Sequence, residues 1–209
     1  MNALPVLRVR WQLKFTSCNL KCPYCIATWT KRPVEFEPER FRAILGRLLD
    51  LPYRLVVRLG VEGEIFMSPD IQDGVVELSH HPKVEGVSFS TNLVASAEKV
   101  SAFLDRCDTT KLGMGATLHD TQISDVDAFF RKVELVQKRG VLIYVGYVAI
   151  PERFEHMRRY KERLEALGVP LLPNEYNGAV EGVPYPEAYT PEQREFLKEH
   201  FFAQHYYRM

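Results

Sequence analysis

Residues 9–25 read VRWQLKFTSCNLKCPYC, a stretch that joins a strand-like segment directly to a loop with three cysteines. The segment alternates apolar and polar residues, which is the pattern of a β-strand with one buried face. Cys18, Cys22 and Cys25 follow in a C-x3-C-x2-C spacing. Three soft thiolates on one short loop suit an iron–sulfur cluster or a zinc ion better than a disulfide framework. The remaining cysteine, Cys107, lies far away in sequence.

The composition is that of a neutral globular protein. The 209 residues include 27 basic and 27 acidic side chains, and 46% of them are hydrophobic, which excludes disorder. Zero net charge supplies no long-range positive field, so we expect neither a nucleic-acid partner nor a membrane partner. No apolar run approaches the roughly 20 residues that span a bilayer. Clustered cysteines without a secretion signal favour the reducing cytoplasm.

Strand-like and helix-like segments alternate along the chain. Six such βα units predict an α/β fold, with a parallel sheet, right-handed crossovers and outer helices. Six units are two short of a closed eight-stranded barrel, so we expect a partial (β/α)6 TIM-like barrel. It would form a single domain over residues 1–209, with its core barrel at about 9–178 and a last helix at about 190–204. The predicted strands are 9–15, 54–59, 84–91, 111–118, 141–150 and 169–176, and the predicted helices before the last are 37–51, 68–79, 96–106, 125–139 and 151–167.

Capping residues define several of these boundaries. Ser68 stands as an N-cap before a proline at the first helical position. Gly140 and Gly168 are placed to end the helices before them in the left-handed conformation. Thr190 and Gln193 have the spacing of a capping box, after a loop rich in Gly and Pro.

One face of the first four predicted strands is polar or lacks side chains. Because the outer helices need the apolar face, we expect the polar face to line a wet cavity inside the barrel; a solvent-facing sheet surface is the alternative. Arg54 and Arg58 on this face suit a carboxylate or phosphate, or else form a buried salt bridge in the lumen. Asn174 and Tyr176 come to the same rim from the sixth strand. The cavity face also carries Arg10, Gln12 and Lys14 on the first strand, Ser88, Ser90 and Asn92 on the third, and Gly113, Gly115, Thr117 and His119 on the fourth.

The cysteine loop follows the first strand, so it belongs to the carboxyl edge of the sheet, where the active sites of such folds lie. Its spacing, with Tyr24 just before the third cysteine, resembles the radical S-adenosylmethionine (radical SAM) superfamily. The resemblance implies that Cys18, Cys22 and Cys25 hold a [4Fe–4S] cluster. It also implies that S-adenosylmethionine chelates the fourth iron and that Tyr24 lies beside the adenine. A structural zinc site is the alternative, but such a site would need a fourth ligand from a second pair of cysteine or histidine residues.

The second strand ends in residues 59–65, LGVEGEI, where members of the superfamily usually carry a Gly-Gly-Glu-Pro-like turn. That turn meets the amino group of the cofactor's methionine, which needs close backbone approach and an acceptor. Gly63 and Glu64 match it best, with isoleucine where proline is common, and Gly60 and Glu62 belong to the same expected binding turn. Either Glu62 or Glu64 would contact the amino group. An ordinary βα turn is the alternative.

Two further strand ends would face the cofactor. Ser90, Thr91 and Asn92 stand where many members have a Thr-Asn-Gly run, with Leu93 in place of the glycine. Their side chains would bind the cofactor's carboxylate or ribose, and capping of the following turn is an equal alternative. Thr117 ends the fourth strand in a similar place.

The resemblance implies an enzyme that reductively cleaves S-adenosylmethionine to methionine and a 5′-deoxyadenosyl radical. The radical would abstract hydrogen from a substrate in the barrel, either a peptide or protein or a small anionic molecule. An electron donor such as flavodoxin or ferredoxin would reduce the cluster. His119 is the candidate catalytic residue, although a lone histidine more often belongs to a loop or cap. Two other functions are a non-catalytic metal-binding interaction module, and a degenerate member that binds the cluster without cleaving the cofactor.

Overall fold

The computed structural model describes residues 4–13, 17–25 and 36–200, and within them a six-stranded parallel sheet runs in the order β1-β2-β3-β4-β5-β6. The sheet is curled into a half-barrel with helices around it, which confirms the predicted α/β partial barrel. The strands are β1 Val6–Leu13, β2 Arg54–Val61, β3 Val84–Thr91, β4 Leu112–Leu118, β5 Leu142–Ala149 and β6 Leu171–Glu175. The helices are α1 Pro38–Asp50, α2 Pro69–His80, α3 Ala97–Asp105, α4 Val126–Lys138, α5 Phe154–Glu165 and α6 Pro191–His200.

The core lies between the convex face of the sheet and these helices. In β2, the alternate residues Leu55, Val57 and Leu59 are fully buried, whereas the residues between them remain partly accessible. At the first crossover, the ring of Trp11 stacks on Phe41 of α1 with 5.0 Å between centroids. The apolar side of the strands thus packs against the helices, as the alternation in the sequence predicted.

The concave face is strongly curled. Arg58 in β2 donates a hydrogen bond to the Tyr144 hydroxyl in β5 at 3.1 Å, although β3 and β4 lie between these strands. On a flat sheet the two strands would stand about 14 Å apart. The curl therefore makes side chains from well-separated strands converge in one lumen.

The predicted helix caps are confirmed. The Ser68 hydroxyl accepts a hydrogen bond from the Ile71 amide at 3.3 Å at the start of α2. At α6, the Gln193 side chain accepts from the Thr190 amide at 3.0 Å, and the Thr190 hydroxyl accepts from the Gln193 amide at 3.2 Å. Gly140 and Gly168 have φ values of 77° and 68°, the left-handed conformation expected after α4 and α5.

Most element boundaries shift by one or two residues from the sequence-based expectation, and three differences are larger or change the type of structure. The first strand begins at Val6 rather than residue 9, because its pairing with β2 starts there. The helix expected from residue 151 opens as a 3₁₀ turn, Pro151–Arg153, before α5. The loop expected after the sixth strand contains an antiparallel hairpin of two short strands, β7 Gly178–Val180 and β8 Val183–Tyr185. Its two turn residues have positive φ, as a tight hairpin requires.

No helix in the described ranges is long and apolar enough to cross a membrane.

Candidate active site

The cysteine loop forms a compact turn at the carboxyl edge of the sheet. The Cys25 amide donates to the Cys22 carbonyl at 3.1 Å, which brings these two cysteines together. Cys22 is buried, Cys25 is half-buried and Cys18 is exposed. The sulfur of Cys18 accepts from the Leu20 amide at 3.5 Å and from the Asn92 side-chain amide at 3.6 Å. Two N–H donors thus converge on the Cys18 sulfur.

The loop is fastened to the ends of two strands. The Ser17 carbonyl accepts a hydrogen bond from the Glu64 amide at 2.9 Å, which ties the loop to the turn after β2. The side-chain amide of Asn92, just after β3, donates to the side-chain carbonyl of Asn19 at 2.7 Å. The Asn92 carbonyl oxygen in turn accepts from the Val94 amide at 3.0 Å. Asn92 therefore caps its own turn and holds the cysteine loop at once.

The carboxylate of Glu64 is buried and engaged by the protein. It accepts hydrogen bonds from the Thr91 hydroxyl at 2.6 Å, the Asn92 amide at 2.6 Å and the Phe66 amide at 3.1 Å. Burial raises the pKa of this carboxyl, and the three hydrogen bonds oppose that shift. The side chain thus joins the turn after β2 to the end of β3, while Glu62 beside it is only half-buried.

At the end of β3, polar side chains cap the turn that follows the strand. The Thr91 hydroxyl, besides donating to Glu64, accepts from the Leu93 amide at 2.9 Å. Leu93 has a φ of 53°, the left-handed region, and its side chain is completely buried. The backbone here therefore has the conformation that glycine adopts at no steric cost, although the residue is leucine. Ser90 is half-buried on the concave face.

The cysteine loop also contacts residues that follow β4. His119 Nδ1 lies 3.1 Å from the Tyr24 hydroxyl and 3.5 Å from the Cys22 sulfur. The two rings stack with 5.8 Å between centroids, and the Tyr24 hydroxyl also lies 3.4 Å from the Thr121 hydroxyl. Burial lowers the pKa of His119 to about 4 and raises that of the Cys22 thiol to about 11. His119 is therefore a neutral ring that packs against the loop.

An ion pair with a buried carboxylate and a partly exposed arginine supports this edge. The Asp120 carboxylate accepts from Arg153 Nη2 at 2.8 Å and Nε at 3.2 Å, and from the Tyr160 hydroxyl at 3.3 Å. The sequence did not reveal this pair, because Arg153 comes from the turn after β5 and its partner is defined only by the fold. The pair links the residue after His119 to the start of α5.

The lumen contains a cavity of about 660 Å³ whose lining includes Arg10 and Arg58. It belongs to the amino-terminal half of the barrel, away from the cysteine loop. Tyr144, which the sequence analysis missed, lines it from β5. Gly115 makes room for that ring, because a Cβ there would stand 2.5 Å from Tyr144 Cζ. A phenol on a fifth strand has no sequence signal that marks it as a lumen residue, apart from its alternation with Leu142 and Gly146.

The other residues expected in the cavity are dispersed. Arg54 lies at the amino end of β2, where it pairs with Glu85 at 2.5 Å and donates to the Leu4 carbonyl at 2.9 Å. Gln12 folds over Gly60, where a Cβ would stand 3.0 Å from Gln12 Cδ. Lys14 lies outside the described residues. Asn174 and Thr117 both lie beside Gly146, near the carboxyl ends of β4 to β6, and Tyr176 donates its amide to the Tyr189 hydroxyl at 2.8 Å.

Fold and site together define an open α/β barrel with a three-cysteine loop held on the carboxyl edge of its sheet. The chain belongs to the radical SAM superfamily: residues 14–164, most of its length, match that family. No curated protein matches it in sequence at a significant level.

Solved structures with the same fold are distant in sequence. SuiB of Streptococcus suis has a TM-score of 0.66 at 14% identity, over 94% of this chain and 46% of SuiB. SuiB bound to the precursor peptide SuiA gives 0.67 at 13%, over 94% of this chain and 46% of SuiB. Native anSMEcpe with bound AdoMet gives 0.66 at 18%, over 93% of this chain and 60% of anSMEcpe. The chain thus spans 46% to 60% of the length of these proteins.

Proposed function

We propose that this protein is a radical SAM enzyme in which Cys18, Cys22 and Cys25 hold a [4Fe–4S] cluster. The observation that carries the proposal is the docking of the cysteine loop. Separate side chains after β3 and β4, namely Asn92 and His119, hold it at the carboxyl edge. Membership of the superfamily supports both the cluster and S-adenosylmethionine as cofactors.

The residues present fit such a cluster. Three thiols provide soft ligands for three irons and leave the fourth iron open to a cofactor. The amide donors to the Cys18 sulfur would remain hydrogen-bonded to a cluster ligand and so adjust the cluster's potential.

The chain's own residues would bind, orient and shield the cofactors. When bound and reduced, such a cluster would supply the one electron needed to cleave S-adenosylmethionine into methionine and a 5′-deoxyadenosyl radical. The half-exposed Glu62 and the backbone of Gly63 are the groups of the second turn available to the cofactor's amino group, since the Glu64 carboxylate already accepts three hydrogen bonds. Ser90 and Thr117, on the concave side of the strand ends, would contact its polar groups, and Tyr24 would lie beside its adenine. An electron donor such as flavodoxin or ferredoxin would reduce the cluster.

The test is anaerobic reconstitution with iron and sulfide, followed by dithionite reduction with S-adenosylmethionine. We expect about four irons per chain with matching sulfide, and chromatographic detection of 5′-deoxyadenosine. Cys22→Ala should abolish the cluster, whereas the matched control Cys107→Ala, outside the loop, should retain it. Zinc uptake in place of iron would support the interaction module instead. A full cluster in Cys22→Ala would overturn the ligand assignment. A cluster without any 5′-deoxyadenosine would favour a degenerate member or a requirement for the substrate.

A further inference from the structure

The side chain of Asn92 has a fixed orientation just after β3. Its carbonyl oxygen Oδ1 accepts a hydrogen bond from the Val94 amide at 3.0 Å, so its nitrogen Nδ2 points the other way, toward the cysteine loop. The backbone amide of Asn92 donates to the buried Glu64 carboxylate at 2.6 Å. The residue is only 6% exposed, so both its backbone and its side chain are held by the protein interior.

The nitrogen of this side-chain amide contacts two groups of the cysteine loop. Nδ2 lies 2.7 Å from Asn19 Oδ1 and 3.6 Å from the sulfur of Cys18. The longer distance is within hydrogen-bond range because a sulfur atom is larger than an oxygen atom. An amide nitrogen carries two N–H groups, so it can serve both acceptors at once. One contact therefore docks the loop, and the other brings an N–H dipole to a cysteine proposed to bind iron.

The hydrogen bond from Asn92 is the one that the sequence can vary. The Cys18 sulfur also accepts from the backbone amide of Leu20 at 3.5 Å, and any residue except proline at position 20 would provide that donor. A cysteine binds iron as its thiolate, and hydrogen bonds to ligand sulfurs help to set the reduction potential of a cluster. An N–H donor favours the reduced cluster, because that state carries one more negative charge.

We propose that Asn92 raises the reduction potential of the cluster through the hydrogen bond from Nδ2 to the Cys18 sulfur. The inference rests on the proposed function, because it assigns a role toward the same cluster. It replaces the cofactor contact that the sequence suggested for this side chain, since the amide nitrogen already serves two acceptors within the protein. The hydrogen bond makes the cluster easier to reduce, so the electron donor needs a less negative potential than it otherwise would.

The experiment is a redox titration of the reconstituted full chain, in which electron paramagnetic resonance measures the reduced cluster. Asn92→Asp keeps an oxygen for the Val94 amide, and the Asn19 amide can turn to donate to the new carboxylate. The loop thus stays docked while the N–H donor to the sulfur is lost. At the midpoint potential of the unsubstituted protein, we expect the ratio of reduced to oxidised cluster to fall about tenfold. That change equals about 59 mV for a one-electron couple.

The matched control is Asn19→Asp, which adds the same charge at the same contact but leaves the Asn92 donor in place. Oδ1 of residue 19 lies 4.0 Å from the Cys18 sulfur, so the control includes the effect of a carboxylate beside that ligand. We expect a higher midpoint potential in Asn19→Asp than in Asn92→Asp. The neutral variant Asn92→Ser keeps a hydroxyl for the Val94 amide but is too short to reach the sulfur, and it should lower the ratio severalfold. It provides the test should Asn92→Asp fail to fold or to take up iron.

The proposal fails if Asn92→Asp and Asn19→Asp have the same midpoint potential, or if Asn92→Ser keeps that of the unsubstituted protein. A purely structural role for Asn92 would speed the loss of iron to a chelator without moving the potential, and that result would also overturn the proposal.

The same measurements separate this proposal from the proposed function. A protein that takes up no cluster would overturn both. Production of 5′-deoxyadenosine with unchanged potentials in the Asn92 variants would overturn the role of Asn92 alone. The expected shifts in potential without any 5′-deoxyadenosine would support the role of Asn92 and count against the proposed activity alone.

Discussion

The hydroxyl of Thr91 donates to the carboxylate of Glu64 at 2.6 Å, joining the turn after β2 to the last residue of β3. Both groups are buried, and the same carboxylate accepts two backbone amides. Since the Glu64 amide also holds the Ser17 carbonyl, this residue connects the cysteine loop to two strand ends.

Glu64→Gln should lower the free energy of unfolding by about 1–3 kcal/mol, because its amide nitrogen would leave a buried donor unsatisfied. Urea denaturation measures the change. Glu62→Gln, at the half-buried neighbour, is the control and should change stability by less than about 0.5 kcal/mol. Equal effects at both positions would show that the buried hydrogen bonds do not stabilise the turn.

At position 93, substitution by glycine should destabilise the protein less than substitution by alanine, which reverses the order found at most positions. Both Leu93→Ala and Leu93→Gly lose a fully buried side chain, which costs about 2–5 kcal/mol. Because the position has positive φ, glycine recovers about 1 kcal/mol of backbone strain that alanine retains. We therefore expect Leu93→Gly to be the more stable of the two in urea denaturation. A more stable Leu93→Ala would mean that the backbone relaxes out of the left-handed region.

Gly115→Ala should destabilise the protein by about 1–3 kcal/mol, because the new methyl group overlaps the Tyr144 ring. Gly46→Ala in α1 is a matched control with nothing within 4 Å of the added carbon, and should stabilise by about 0.5–1 kcal/mol. Thermal unfolding of both variants checks that the two changes in stability have opposite signs. Adding Tyr144→Leu to Gly115→Ala should restore part of the lost stability. If stability does not recover, the added methyl group strains a contact other than the one with Tyr144.

Tyr24→Phe should loosen the cysteine loop without unfolding the barrel. The change removes the hydroxyl that lies against His119 and Thr121, a contribution of about 1 kcal/mol. We expect severalfold faster amide hydrogen exchange in residues 17–25 and faster loss of bound iron to a chelator. Tyr53→Phe, just before β2 at the other end of the barrel, should leave both rates unchanged. Unaltered loop exchange in Tyr24→Phe would contradict the anchoring role.

The sequence was sufficient for the architecture because local chemistry dictates most of it. Alternation in β2 and β3, the Ser68 cap and the glycines after α4 and α5 each specify an element within a few residues of chain. The hairpin after β6 was missed because Glu181 gives no sign of the positive φ that it adopts before Gly182.

The side-chain partners could not be predicted, because they depend on how the sheet curls. Arg58 has the polarity of a lumen residue, but only the three-dimensional curl brings Tyr144 to it. Likewise, nothing local to Asn19 indicates Asn92 as its partner. Two alternatives were open for Arg58, an anion or a salt bridge, and neither included the phenol contact that the structure shows.

The cysteine loop obtains its side-chain partners late in the synthesis of the chain. Asn19 meets Asn92 across 73 residues, and Cys22 meets His119 across 97. Contacts that close such long stretches form only after the intervening strands have paired. The loop therefore takes its final shape on a barrel that is almost complete, in contrast to a zinc finger, whose metal organises the chain around it. Because His119 directly follows β4, the loop is fully anchored only after β4 has left the ribosome.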